Sequence, residues 1–149
     1  MVRRRLVLAL AAVALIAAGL VLARTTDSAA WTFVGDALYA AMLYAVVGAG
    51  LPRAAPALVG SIAFGVSAAV EFFQLTGIPA QLATTIPGAA LVLGTTFQGS
   101  DLAAYALGAA AMAAGDAVIR RAGGSSRGAR TTPSADAPPQ RPPAGTPSR

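Results

Sequence analysis

The chain has no cysteine and no histidine. Their absence excludes disulfides, thiol chemistry, a Cys/His zinc site, His-ligated haem and a Ser-His-Asp triad. Lysine is missing too, so all eleven basic residues are arginine. Charge is scarce in general: 11% of the 149 residues are charged and 56% are hydrophobic, where soluble domains carry about a quarter charged residues. A core of this size cannot hide that much apolar surface without lipid, which places the chain among integral membrane proteins. The net charge of +5 sits mostly at the two ends. There it orients helices and meets anionic lipid, and no nucleic-acid partner is inferred from it.

What remains is organised into apolar runs. Leu6–Ala23 is an uncharged run behind Arg3, Arg4 and Arg5. A cleaved signal peptide is an alternative here, with Ser28-Ala29-Ala30 as its cleavage site. The run is longer than the about 7–15 residues of a signal core and further apolar segments follow it, so a retained helix is favoured. Thr32–Leu51 is interrupted only by Asp36, and Ala54–Leu75 carries Glu71 near its end. Pro52 disfavours helix at Leu51 and separates these two. Asp101–Ile119 is closed by Arg120 and Arg121. Each approaches the about 20 residues that a membrane span needs. Between the third and fourth spans, Gly77–Ser100 contains Pro79, Pro87 and four glycines, and its apolar middle is too short to cross. It reads as a re-entrant or interfacial segment, which must be buried against protein if it dips inward. From Ala122 the chain turns to Gly, Ser, Arg and Pro and ends in PPQRPPAGTPSR, a tail read as disordered and solvated. The expected fold is therefore all-α: a polytopic bundle of four membrane helices (6–23, 32–51, 54–75, 101–119) in a domain spanning 1–121, with a tail over 122–149.

If the four helices alternate, Arg3–Arg5, Arg53, Arg120, Arg121, Arg127 and Arg130 fall on one side and only Arg24 on the other. The positive-inside rule then puts both termini in the cytoplasm of a multi-pass protein of the plasma (inner) membrane. That orientation turns the acids into a pattern. Asp36, Glu71 and Asp101, from three different helices, share one depth near the outer leaflet. Asp116 lies apart, one turn before Arg120, as expected of an i,i+4 pair. Asp36 precedes Tyr39 by three positions; Gly60, Phe64, Ser67, Glu71 and Gln74 share one face of the third helix; Asp101, Tyr105 and Gly108 share one on the fourth. Acids in spans are costly and are turned inward towards partners, so Asp36, Tyr39, Glu71, Gln74, Asp101 and Tyr105 form a candidate polar binding cluster, with Arg24 as candidate counter-ion. For Asp36 and Asp101 a second reading stands beside this one: each lies near a helix start, where a carboxylate meets free N–H groups. Glu71 escapes that account. It sits near a helix C-terminus, where the dipole disfavours negative charge, and it needs a partner or a proton. Small residues at four-residue spacing, Ser61, Gly65 and Ala69, and Ala104 and Gly108, are read as packing positions.

Four stretches in order, GDALY (35–39), EFFQ (71–74), LVLGTTF (91–97) and DLAAYALG (101–108), resemble the small bacterial membrane proteins grouped as domain of unknown function two-eight-zero-nine. The resemblance covers roughly residues 5–120. The E-x-x-Q and D-x-x-x-Y-x-x-G spacings are more distantly similar to VanZ-like proteins, some linked to glycopeptide antibiotic resistance. The family implies a compact integral membrane protein of four or five helices without an established activity. Its polar positions fall on Asp36, Glu71, Gln74 and Asp101, with Tyr105 and Gly108 on the last helix. One departure is the external loop, where the family pattern carries an arginine and this chain has Leu82-Ala83-Thr84-Thr85.

These residues leave several functions open. The first is a binding site for a lipid headgroup, a cell-envelope intermediate or a cation. The second is a structural or accessory membrane protein whose acids pin helices, alone, as a homo-oligomer or with a protein partner. A membrane enzyme or a proton-coupled transporter is less favoured, since acids alone supply general acid–base groups or proton relays without a nucleophile. No catalytic residue and no cofactor is assigned, and a metal is left open. Membrane lipids are the expected partners.

Overall fold

The computed structural model describes residues 2–25 and 28–128. Helices joined by short connections are its regular structure, with no strand among those residues. In chain order the helices are α1 (Val2–Thr25), α2 (Ala29–Gly50), α3 (Pro56–Gln74), α4 (Ile78–Thr85), α5 (Ala89–Leu93) and α6 (Gly99–Gly128). The expected disordered tail falls largely on residues 129–149, which lie outside the described residues.

Four of these helices, α1, α2, α3 and α6, are long and apolar enough to cross a membrane. Together they make a polytopic bundle. Their starts and stops follow from local chemistry. α2 begins after Ser28, whose extended backbone presents its carbonyl to the N–H groups of Trp31 and Thr32. α3 opens with Pro56 in its first turn, where the missing N–H is no loss. Two helices run beyond the apolar stretches. α1 takes in Arg3–Arg5 and α6 continues through Arg120 and Arg121 to Gly128, because arginine ends a membrane span but is a good helix former. Gly77–Ser100 folds as two short helices, α4 and α5, joined through Pro87 and Gly88. With 8 and 5 residues at about 1.5 Å rise each, neither spans.

α2 is the central element, packing against α1, α3 and α6, and α3 also packs on α6. Small side chains line these contacts: Ala40, Ala41, Ala45, Ala63, Ala104 and Ala109 are buried, and in lipid such residues let backbones approach closely. Gly108 marks the closest approach, since a Cβ there would run into the carbonyl of Ala37 on α2. The Ala104/Gly108 packing expectation therefore holds. The parallel expectation for Ser61, Gly65 and Ala69 does not, because all three are exposed. The buried face of α3 instead carries Val59, Gly60, Ala63, Ser67, Glu71 and Gln74, with Phe64 rotated outwards.

α1 differs from the other spans. Its mean hydropathy of 2.9 is the highest, only 11% of its apolar window is buried, and its backbone packs on α2 alone. Leu6, Val7, Leu10, Val13 and Val21 are exposed. In water such a face would drive association; in a bilayer it is solvated by lipid.

Candidate functional site

At one end of the bundle the acids of α2, α3 and α6 converge. Glu71 is fully buried, and its two oxygens have separate partners. One accepts the backbone N–H of Gln98, the residue immediately before α6; the other accepts the Tyr105 hydroxyl at 3.2 Å. Glu71 sits in the last turn of α3, where its own helix dipole opposes a negative charge. It is placed against the N-terminal end of α6, whose free N–H groups and dipole favour one. The partner its position demands is thus a neighbouring helix start.

Asp101 lies in the first turn of α6, nearly buried, and accepts a 3.1 Å hydrogen bond from Ser100 Oγ. The helix-start account suits it. Asp36 is different. Because α2 begins at Ala29, Asp36 lies about two turns inside the helix, where backbone N–H groups are already bonded, so the helix-start reading of this residue is corrected. Its carboxylate is within Coulombic reach of Asp101 and Glu71, and all three acids act on Tyr105. Asp36 Oδ2 is buried without a hydrogen-bond partner.

Gln74, one turn after Glu71, bridges to the connecting segment. Its Nε2 donates to the Leu93 carbonyl at 2.8 Å, beside Gly94, whose positive φ of 63° admits no ordinary side chain and whose absent Cβ makes room for the Gln74 amide. The glycine of the LVLGTTF stretch therefore serves Gln74. The amide's other end, Oε1, is buried and unpartnered.

Tyr39 and Tyr105 approach with ring centroids 6.1 Å apart and planes tilted by 55°. They share a cavity of about 740 Å³ with Asp36, Gln74, Gln98 and Asp101. Leu15, Ile16 and Leu20 of α1 form one apolar wall and Leu91, Val92 and Leu93 around α5 form another. A smaller cavity of about 220 Å³ shares Asp36 and leads to Trp31. Five of the six residues of the expected cluster line the large cavity. Glu71 does not; it lies behind Tyr105 and holds α6 in place.

Arg24 is exposed at the end of α1, and among the described residues no ion pair joins it to any of the three acids. Nor do three or more acidic side chains there form a group that could hold a metal ion. The basic partner of the bundle is elsewhere. Arg4 pairs with Asp116 at 2.5 Å and also donates to the carbonyl of Pro52 at 2.8 Å. Tyr44 donates to the same carboxylate at 2.8 Å, and Arg120 lies 3.5 Å from it. The i,i+4 pair is present but secondary. Sequence spacing gives no sign of the Arg4 and Tyr44 contacts, which cross 112 and 72 residues.

The fold and this polar end define a class: a four-span helical membrane protein whose helices bring acids and tyrosines to one cavity. The model of the family described as protein of unknown function (DUF2809) matches residues 25–109, and the chain belongs to that family. The matched segment contains every polar residue of the cavity floor. No curated protein and no solved structure matches the chain.

Proposed function

We propose that the protein binds an amphipathic molecule of the membrane, such as a lipid or lipid-linked cell-envelope intermediate, with its polar head on the acid-rich floor and its apolar part between α1 and α5. One observation carries this reading: a cavity of about 740 Å³ lined both by Asp36, Gln74, Asp101 and two tyrosines and by leucines and isoleucine. That volume is within the about 300–1,000 Å³ usual for ligand sites. Access is provided for as well. The backbones of α1 and α5 make no contact, and the gap between them is the proposed entry from lipid. The arginine distribution supports an orientation in the inner membrane with both termini cytoplasmic and this cavity in the outer leaflet.

A second reading, helix pinning, is favoured by Glu71, whose buried carboxylate is fully occupied in joining α3 to α6. The two readings assign different residues and are separable. Gly19 of α1 lines the cavity, and a Cβ added there meets nothing within 4 Å. Gly19→Phe should fill the cavity without straining the bundle. Native mass spectrometry of protein extracted in mild detergent is expected to show an adduct on the wild type that is lost in Gly19→Phe, with the fold retained. An unliganded wild type, or an adduct untouched by Gly19→Phe, refutes the binding reading.

A further inference from the structure

The unmatched hydrogen-bonding groups of the cavity indicate what kind of head it receives. Gln74 is 8% exposed, and its amide orientation is fixed because the Leu93 carbonyl can only accept, so Nε2 faces it. Oε1 is then the free end, buried, without a partner, on a residue that lines the cavity. Asp36 Oδ2 is a second buried oxygen that no N–H or hydroxyl of the described residues reaches, next to the Asp101 carboxyl group. Two donors nearby are committed, Tyr105 O–H and Gln98 N–H, which both serve Glu71; the Tyr39, Thr95 and Thr96 hydroxyls also line the cavity. Among the described residues, no basic side chain lines the cavity. The cavity thus holds two unmet acceptors beside a second carboxyl group, Asp101, with no cation among the described residues to meet them.

Resting on the binding reading above, we infer that the ligand is an amine-bearing amphiphile whose protonated amine, with its N–H groups intact, sits between Gln74 Oε1 and Asp36 Oδ2. An ammonium group offers three donors and no acceptor, which complements two unmet acceptors beside a carboxylate. A phosphate or carboxylate head brings more acceptors and like charge into a site that has too much of both. The Tyr39 and Tyr105 rings, 6.1 Å apart, line the same cavity, and tyrosine rings attract cations. A quaternary ammonium would keep that attraction but leave both acceptors unsatisfied, and buried polar groups left unpaired are what a site rejects most strongly. The N–H groups therefore set the preference.

The test uses the full chain in maltoside detergent with four probes of one tail length: dodecylamine, dodecyltrimethylammonium, dodecanol and dodecyl phosphate. Trp31, the sole tryptophan, borders the smaller cavity beside Asp36, so its fluorescence follows the titration. Dodecylamine is expected to bind about tenfold or more tighter than dodecanol or dodecyl phosphate, and several-fold tighter than the trimethyl probe. Gln74→Leu and Asp36→Asn should each reduce the amine's advantage over dodecanol about tenfold, and Gly19→Phe should abolish binding of every probe. Dodecanol or dodecyl phosphate binding as tightly as the amine, with loss in Gly19→Phe, overturns the amine inference and leaves the site standing. No probe responding to Gly19→Phe overturns both. Equal binding of the primary and quaternary amines overturns the role given to the N–H groups.

Discussion

Replacing Glu71 by alanine removes the side chain that hydrogen-bonds the end of α3 to the start of α6. The carboxylate is fully buried and accepts from Gln98 N–H and Tyr105 O–H. Hydrogen bonds to a charged group contribute about 1.5–3 kcal/mol each, and the abandoned donors would stay buried. The variant should lose about 3–5 kcal/mol in all. Glu71→Gln is a milder change. Its amide oxygen can still accept from Gln98, and its NH2 can donate to the Tyr105 oxygen once the hydroxyl rotates. Only the charge assistance goes, and the cost should be about 1–2 kcal/mol. At about 2–4 °C per kcal/mol for a chain of this size, the alanine variant should melt about 10 °C lower and the glutamine variant a few degrees lower. Thermal unfolding followed by circular dichroism in one detergent at one scan rate is the assay, since unfolding of such proteins is often irreversible and then rate-dependent. Tyr105→Phe in the Glu71→Ala background should cost about 1 kcal/mol less than in the wild type. An alanine variant as stable as the wild type would refute the reasoning. So would a glutamine variant as damaged as alanine, because charge and not hydrogen bonding would then be what the site requires.

Two further outcomes follow from the opposite end and from the chain's composition. Asp116 is 9% exposed and takes Arg4 at 2.5 Å, whereas Arg120 is 3.5 Å away and 32% exposed; Asp116→Ala should cost about 3 kcal/mol and Arg120→Gln under about 1 kcal/mol in the same melting assay. Because the natural sequence has no cysteine, one introduced thiol is the only one present: Thr85→Cys should react with a membrane-impermeant maleimide from outside intact cells and Arg53→Cys should not, and the reverse labelling would invert the proposed orientation.

The four spans were legible because apolar length and the absence of charge are local properties, and each apolar run became a helix. Their ends were less so. Leu6 and Ile119 bound what is apolar, while α1 and α6 extend over arginines that keep helical geometry outside the greasy stretch. The face of α3 bearing Ser67, Glu71 and Gln74 followed from a period of 3.6 residues. The buried face is centred about 30° round from the expected stripe, which leaves Phe64 about 70° from its axis on the lipid side and Ala63 about 30° from it in the core. The demand for a partner at Glu71 was legible from the dipole of its own helix. Its answer was not, since Gln98 contributes only a backbone N–H, which no side-chain pattern encodes. The same holds for Leu93, whose carbonyl orients Gln74. Arg4 with Asp116 could not be read at all. Both residues have ordinary local explanations, one as a positive-inside charge and one as an i,i+4 acid, and only the tertiary fold brings them together.

That last pair bears on how the protein is made. Arg4 is synthesised 112 positions ahead of Asp116. Until α6 enters the bilayer, α1 has only α2 beside it and no acid to receive its guanidinium. Until α1 is in place, Asp116 arrives at a site where Tyr44 and Arg120 alone await it. Each helix therefore carries a cost that the other removes, and the removal waits for α6. Assembly of the bundle is checked by α1 and α6 together, so a chain lacking either helix should lose the partner of a polar group on the other.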